Sequence, residues 1–380
     1  MLAHLDEPNC PISTAFFHAR GWVASQSELD VIEIDVNGQR YPSAQYPRPD
    51  VQSALPDYQT SGFSAFPRLW DFDWESGIRL RVMHRDEVLC ERVVSVAPEA
   101  AIDSTAQGVA RLNKRNWLRG KVNCPGCHRS LDTSFSCRSC QRSYLTPLGT
   151  LALMASDSPN PSEFQFNGTI CHHGYDSDVT AIISEASSAG GYVLDCGAGL
   201  RPRVHPHVIT LEITDYPTTD VIGINQELPF ADGIFDAVLS LHVLEHVSDP
   251  FRCASELIRV LKPGGRLFAA TPMIVPEHGY PHHFYNPTRE GLANLFRSLS
   301  IERLFVPHTG HPINGVRAIL EVYGECLPPD EREKFVKMSV ADLLAGSLLD
   351  AIDQDHCKSL NEAGRWRLAA NYCIVANKPV

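Results

Sequence analysis

The chain has no apolar run approaching the ~18 residues that a membrane-spanning helix needs. It also has no excess of positive charge: 33 Lys and Arg against 45 Asp and Glu give a formal charge of −12. A protein that grips a nucleic-acid backbone over its whole surface is usually basic, so that role is disfavoured for the chain as a whole. The opening MLAHLDEPNCPISTAFF has neither the basic start nor the clean apolar stretch of a secretory signal, so a cytoplasmic location is expected. Most of the twelve cysteines show no framework spacing, which argues for reduced thiols rather than a disulfide scaffold. With 43% hydrophobic and 21% charged residues, the 380-residue chain has ample material for real cores, and its length calls for two or three domains.

Three segments differ in pattern. Residues 10–98 alternate apolar and polar with period two. Val31, Ile32, Ile34 and Val36 lead into Asn37-Gly38, a strong hairpin signal, and Ile78, Leu80 and Val82 precede a second turn followed by Val88, Leu89, Val93 and Val94. Prolines 42, 47, 49, 56 and 67 punctuate the loops. An all-β antiparallel sandwich is expected. Gly21-Trp22, Val36-Asn37-Gly38, Arg48–Val51, Pro56 and Ser61–Phe63 resemble the β-sandwich modules attached to some bacterial glycosyltransferases and cell-surface-glycan enzymes. Residues 99–120 read as a polar, basic connector with room for a short helix.

Residues 117–152 contain Cys124-Pro-Gly-Cys127 and, nine residues on, Cys137-Arg-Ser-Cys140. Two such pairs put four thiolates at tetrahedral corners, the arrangement of a closed, structural Zn²⁺ site, with an iron–sulfur site or free thiols as the other readings. Gly126 and Ser139 are expected to sit in the tight turns. The segment resembles the zinc ribbons fused before some methyltransferase domains. Its flank is basic (Arg111, Lys114, Arg115, Arg119, Lys121, Arg129, Arg138, Arg142). Such a flank suits either a nucleic-acid or partner contact or a solvated surface offsetting the thiolates, and the solvated surface is favoured.

From residue 165 onward, apolar strands alternate with helical patterns, the mark of an α/β domain. Tyr192-Val-Leu-Asp195 runs into the turn Cys196-Gly197-Ala198-Gly199, whose glycines allow close backbone approach to a ligand. A second strand, 207–214, ends near Glu212. Then come Leu228-Pro-Phe, a strand at 235–241, a helix at 249–261, the turn Lys262-Pro-Gly-Gly and a strand at 266–271. This order resembles the Rossmann-like S-adenosylmethionine (SAM)-dependent methyltransferases found with sugar and lipid pathways. The resemblance implies a seven-stranded, mostly parallel sheet over residues 165–380 and SAM as cofactor. Asp195, Gly197 and Gly199, with Cys196 and Ala198 between and beside them, would hold its methionine end. Glu212 would hold its ribose, and Leu241 and His242 would line the sulfonium. Where relatives carry an acid against the adenine, this chain has Ile224, with Asn225 or Gln226 as substitutes; Leu200-Arg201-Pro202 replaces the usual third glycine.

His282, His283 and Tyr285 follow the last of these strands. His282 or His283 is the expected general base, since imidazole titrates near neutrality; His246 is expected to pack structurally. A metal site from His278, His282 and His283 lacks a carboxylate. Thr288 begins a helix. Phe335, Met338, Leu343, Leu344, Leu348, Leu349 and Ile352 mark a helical insertion near 329–365, and 371–379 a last strand. The expected activity is methyl transfer to a sugar or glycan intermediate. The alternatives are an RNA or protein methyltransferase that holds its target with the ribbon, and a non-catalytic scaffold. A protein partner or a second copy would dock on the β-sandwich or the helical tail.

Overall fold

The computed structural model describes residues 1–74, 77–154, 173–279, 282–345 and 352–370. The chain forms two compact units, Met1–Val243 with Asp249–Ala270, and Leu244–Ser248 with Thr271 onward.

The first unit begins with eight antiparallel strands: β1 (Leu2–Glu7), β2 (Ala19–Ser25), β3 (Ile32–Val36), β4 (Gln39–Pro42), β5 (Ala44–Tyr46), β6 (Gln59–Ala65), β7 (Ile78–His84) and β8 (Glu87–Val94). They form two four-stranded sheets, β1-β2-β6-β5 and β4-β3-β7-β8. Val23, Ile32, Ile34, Val36, Phe63, Leu80 and Val82 are buried in one apolar cluster shared by both sheets. Ile32, Ile34 and Val36 alternate as expected, while Val31 falls out of phase and faces solvent. The Asn37-Gly38 turn has both residues at positive φ (51° and 93°), the backbone a two-residue hairpin requires. The β region begins at Leu2 rather than at residue 10.

The expected short connector is a 21-residue helix, α2, at Pro98–Leu118, preceded in the chain by the six-residue α1 at Pro49–Ala54. Its inward face is Ala100, Ser104, Gln107, Ala110, Arg111, Lys114 and Leu118. That face has helical spacing but is largely polar, which hid the helix from an apolar-periodicity reading. The polar groups have partners waiting. Arg111 donates to the carbonyls of Pro217 (2.6 Å) and Thr219 (2.9 Å). Lys114 Nζ donates to the Val208 carbonyl (2.9 Å) and to Asp220 Oδ2 (2.6 Å). Asp220 also accepts from the Thr210 backbone N–H and hydroxyl. Two residues of the basic stripe, Arg111 and Lys114, are buried and paired internally, and Lys121 lies over the Trp117 ring, whereas Arg119, Arg129, Arg138 and Arg142 are exposed.

Two short strands of the cysteine segment, β9 (Ser136–Cys137) and β10 (Arg142–Ser143), pair antiparallel. The α/β part is a sheet of six strands among the described residues: β11 (Leu151–Ala152), β12 (Val193–Cys196), β13 (Val208–Glu212), β14 (Val221–Ile222), β15 (Phe235–Leu241) and β16 (Leu261–Ala270). The order is β11-β14-β13-β12-β15-β16, every pairing parallel. The seventh strand expected at 371–379 lies outside the described residues, as do Leu348 and Leu349. The edge strand β11 was assigned by sequence to the ribbon. The Lys262-Pro-Gly-Gly turn lies inside β16 as a break in register against β15, with Gly264 at φ +76°. Helices α3 (Ser177–Ser188) and α4 (Pro250–Val260) are each capped by an aspartate, Asp176 and Asp249, whose side chain accepts a first-turn N–H.

The second unit is helical. Its described helices include α5 (Arg289–Leu295), capped by Thr288, then α6 (Pro312–Glu325), α7 (Pro329–Phe335) and α8 (Val340–Leu343). Phe335 is buried and stacks on Tyr323, whereas Leu344 is exposed.

Removing one partner of the Lys114–Asp220 pair leaves a buried charge without its counterion. Lys114→Ala is expected to lower the unfolding free energy by about 3–5 kcal/mol, measured by denaturant titration. A loss below about 1 kcal/mol would show that the pair does not anchor α2.

Candidate cofactor site and cysteine cluster

Strand β12 pairs with β13 on one side and β15 on the other, so the chain leaves the sheet in opposite directions on either side of β12. In open α/β sheets the crevice past the strand ends at such a point is where ligands bind. The residues at that place are the turn Gly197-Ala198-Gly199 after β12 and Leu241-His242 after β15.

The turn is held by backbone geometry. Gly197 and Gly199 have φ of +74° and +62°, which strains residues with a Cβ. The N–H groups of Gly197 and Ala198 both donate to the Leu211 carbonyl (2.9 and 3.1 Å). A Cβ on Gly197 would lie 2.5 Å from Val243 Cγ2.

Asp195 is fully buried at the end of β12. Its Oδ2 accepts from the Tyr175 hydroxyl (2.7 Å) and from Arg201 Nε (2.8 Å). The Arg201 guanidinium lies over the Tyr175 ring. Arg201, in the Leu200-Arg201-Pro202 stretch that follows the turn, is thus the buried counterion of Asp195. Asp195 Oδ1 is buried and accepts no hydrogen bond among the described residues. A buried acceptor without a donor is costly, and such an atom marks the place for a ligand's N–H or O–H.

Glu212 ends β13 as expected. Its Oε2 accepts from the Gly199 N–H and its Oε1 from the Ile213 N–H, both at 2.7 Å. Burial pushes this carboxyl above its ordinary range, and the two N–H donors pull it back. Glu212 is therefore a brace between strand end and glycine turn, each oxygen retaining lone pairs for further donors. Asn225 is buried, with its Oδ1 accepting from the Cys196 thiol (3.2 Å). Gln226 and Ile224 instead line a cavity of about 310 Å³ together with Leu153, His128 and Arg252. The two substitutes for the missing acid thus point to different surroundings. His242 adopts φ +58° at the exposed end of β15, its N–H bonded to the Ala270 carbonyl.

The four cysteines of the ribbon converge, each Sγ within 4.8 Å of the others. Cys124 and Cys140 are 3.7 Å apart, and Cys127 and Cys137 3.5 Å. The Cys140 N–H points to Cys137 Sγ and the Tyr144 hydroxyl to Cys124 Sγ. The left-handed positions are His128 and Gln141, one residue past each pair, and not Gly126 or Ser139. That is where each loop reverses, so Gly126 needs no special backbone. The ribbon is stitched to the sheet by the Asn123 N–H on the Pro229 carbonyl and the Ala231 N–H on that of Lys121.

His282, His283 and Tyr285 lie in the second unit. His283 has both ring nitrogens engaged: Nδ1 accepts from the His278 N–H, and Nε2 donates to Asn286 Oδ1. Tyr285 donates to the Ser248 carbonyl. The His282 ring packs near Phe284.

Residues 208–269 match the family model described as a methyltransferase domain. Among curated proteins, the chain is similar to an uncharacterized methyltransferase of Mycobacterium sp. (strain KMS), 58% identical over 107 residues, 23% of this chain and 42% of that protein. It is also similar to the 27-O-demethylrifamycin SV methyltransferase of Amycolatopsis mediterranei, 28% identical over 149 residues, 30% of this chain and 54% of that one. The chain thus spans about half or less of the length of these relatives. Of solved structures, the [4+2]-cyclase SpnF aligns with a TM-score of 0.26 at 20% identity, covering 35% of this chain and 64% of that one.

At the glycine turn, Gly197→Ala combines a strained φ with a clash. It is expected to destabilise the fold by at least about 2 kcal/mol. Adding Val243→Ala should recover part of that loss in thermal unfolding. No recovery would show that the Val243 contact does not shape the turn.

Proposed function

We propose that this chain is a SAM-dependent methyltransferase that acts on a sugar or glycan intermediate. The observation that carries the cofactor reading is the buried Asp195 Oδ1, an acceptor awaiting a donor beside a left-handed glycine turn at the sheet's switch point. A ligand ammonium or hydroxyl would satisfy it. Asp195, Gly197, Ala198 and Gly199 would hold the amino-acid end of SAM and Glu212 its ribose, with Asn225, Gln226, Leu241 and His242 around the rest. SAM supplies a methyl group on a positive sulfur; the chain's task is to align the acceptor and exclude water. Arg201 pairs with Oδ2 of Asp195 in the dry interior and leaves Oδ1 as the acceptor.

The acceptor class rests on the resemblance of the N-terminal β region to glycan-enzyme modules. An RNA target is disfavoured by the formal charge of −12, and Arg111 and Lys114 of the basic stripe are spent on internal bonds. Of the three expected catalytic side chains, His282 is the one with no polar side-chain atom in a hydrogen bond among the described residues, and we assign the general base to it. His282→Ala should lower kcat by about 10²–10⁴-fold with SAM affinity unchanged; an unaltered kcat would remove that role. The acceptor is tested by incubating the full chain with methyl-labelled SAM and, separately, nucleotide sugars, glycan precursors, RNA and protein. Label in the sugar or glycan pools supports the proposal. Label in RNA or protein overturns the acceptor class, and label nowhere favours a scaffold.

We assign Zn²⁺ to Cys124, Cys127, Cys137 and Cys140. Four sulfurs at ~2.3 Å around one ion lie about 3.8 Å from each other, close to the spacings of the two pairs. With four protein ligands the site is closed and structural. Cys137→Ser is expected to abolish the thiolate-to-metal charge-transfer absorption of the Co²⁺-substituted protein and to lower its melting temperature. An unchanged spectrum would overturn the ligand set.

A further inference from the structure

A carboxylate lies beside the histidine loop at Glu245. Leu244–His246 forms a single 3₁₀ turn within the second unit. The Glu245 carboxylate is buried there, and ligand-capable atoms of Glu245, His246 and His278 all lie within 4.8 Å of one another. The His246 and His278 rings meet edge to face, with centroids 5.1 Å apart.

The hydrogen bonds around these rings set their tautomers. His246 Nδ1 lies 2.7 Å from the His282 carbonyl oxygen, and His278 Nδ1 lies 2.9 Å from that of Pro276. A carbonyl can only accept, so each Nδ1 carries the proton and each neutral ring presents its lone pair at Nε2. Tying Nδ1–H to a backbone carbonyl is how proteins orient metal-binding imidazoles. His283 is excluded from the set because both its nitrogens are engaged.

The backbone is shaped to hold this arrangement. The N–H groups of Phe284 and Tyr285 both donate to the Glu245 carbonyl, fastening the loop to the 3₁₀ turn. Gly279, at φ +100°, lies so close that a Cβ there would run into the His246 imidazole. Only glycine lets the chain pass over that ring.

We propose that Glu245, His246 and His278 form a second metal site, a two-histidine, one-carboxylate set for a divalent first-row transition ion. Bonds of ~2.1 Å would draw the three ligand atoms to about 3–3.5 Å from one another, a shift of side-chain size. Three protein ligands leave open positions, in contrast to the closed cysteine site, and an oxygen donor such as water, a hydroxyl or a carboxylate would fill them. His278 is exposed, which opens the site to solvent. The assignment stands independently of the methyl-transfer reading.

The test is a Co²⁺ titration of the full chain with its cysteine site already loaded with Zn²⁺, followed by absorption spectroscopy and metal analysis. One further equivalent of Co²⁺ is expected, with weak d–d bands and no thiolate charge transfer. His278→Ala, a surface change, should weaken it at least tenfold. The near-isosteric Glu245→Gln should do the same while leaving far-ultraviolet circular dichroism unchanged. The proposal is overturned if Co²⁺ enters only with thiolate charge transfer, if no further equivalent binds, or if neither variant alters the affinity.

Discussion

The first unit is organised by one buried carboxylate. Asp220 sits between α2 and the start of β14, where it accepts from Lys114, from the Thr210 N–H and from the Thr210 hydroxyl. Lys114 also binds the Val208 carbonyl at the head of β13. The pair therefore fixes β13 along its length, and β13 carries Glu212 to the glycine turn. It also fixes α2, which ends one turn before the cysteine ribbon. Burial by itself pulls the Lys114 ammonium down, and the facing Asp220 charge opposes that pull. Such a pair tolerates no partial loss, and α2 is accordingly a fixed part of the α/β unit rather than a linker.

At the turn, a second buried pair repeats the same logic with a different result. Asp195 and Arg201 neutralise each other, yet one carboxylate oxygen is left over. A fully paired aspartate would only stabilise the fold; one with a spare acceptor at a sheet switch point is what the proposed cofactor reading takes as a binding group. Leu200-Arg201-Pro202 reads in the sequence as a departure from the motif the turn resembles. In the structure Arg201 is the counterion that makes a buried aspartate sustainable.

Much of this was legible in the residues. β15 spans the expected 235–241, α4 falls within 249–261, and the Asn37-Gly38 hairpin and the four-cysteine cluster appear where spacing put them. Those calls rest on local rules: period-two alternation, capping and left-handed turns. The failures share a physical cause. α2 was read as a connector because its buried face is polar, and its partners are backbone carbonyls more than ninety residues away in sequence. Glu245 was passed over because nothing local marks a carboxylate whose histidine neighbour, His278, comes thirty-three positions later. Long-range polar pairing leaves no periodic trace, and both the strongest anchor and the second candidate metal site depend on it.

Calorimetric titration of the metal-loaded full chain with SAM and its demethylated product tests the central claim most directly, with Asp195→Asn as the comparison. Saturable one-to-one binding of both ligands is expected, weakened at least tenfold in the variant. Folded wild-type protein that gives no binding heat at millimolar ligand would contradict the cofactor site, and with it the reading of the Asp195 oxygen as a binding group.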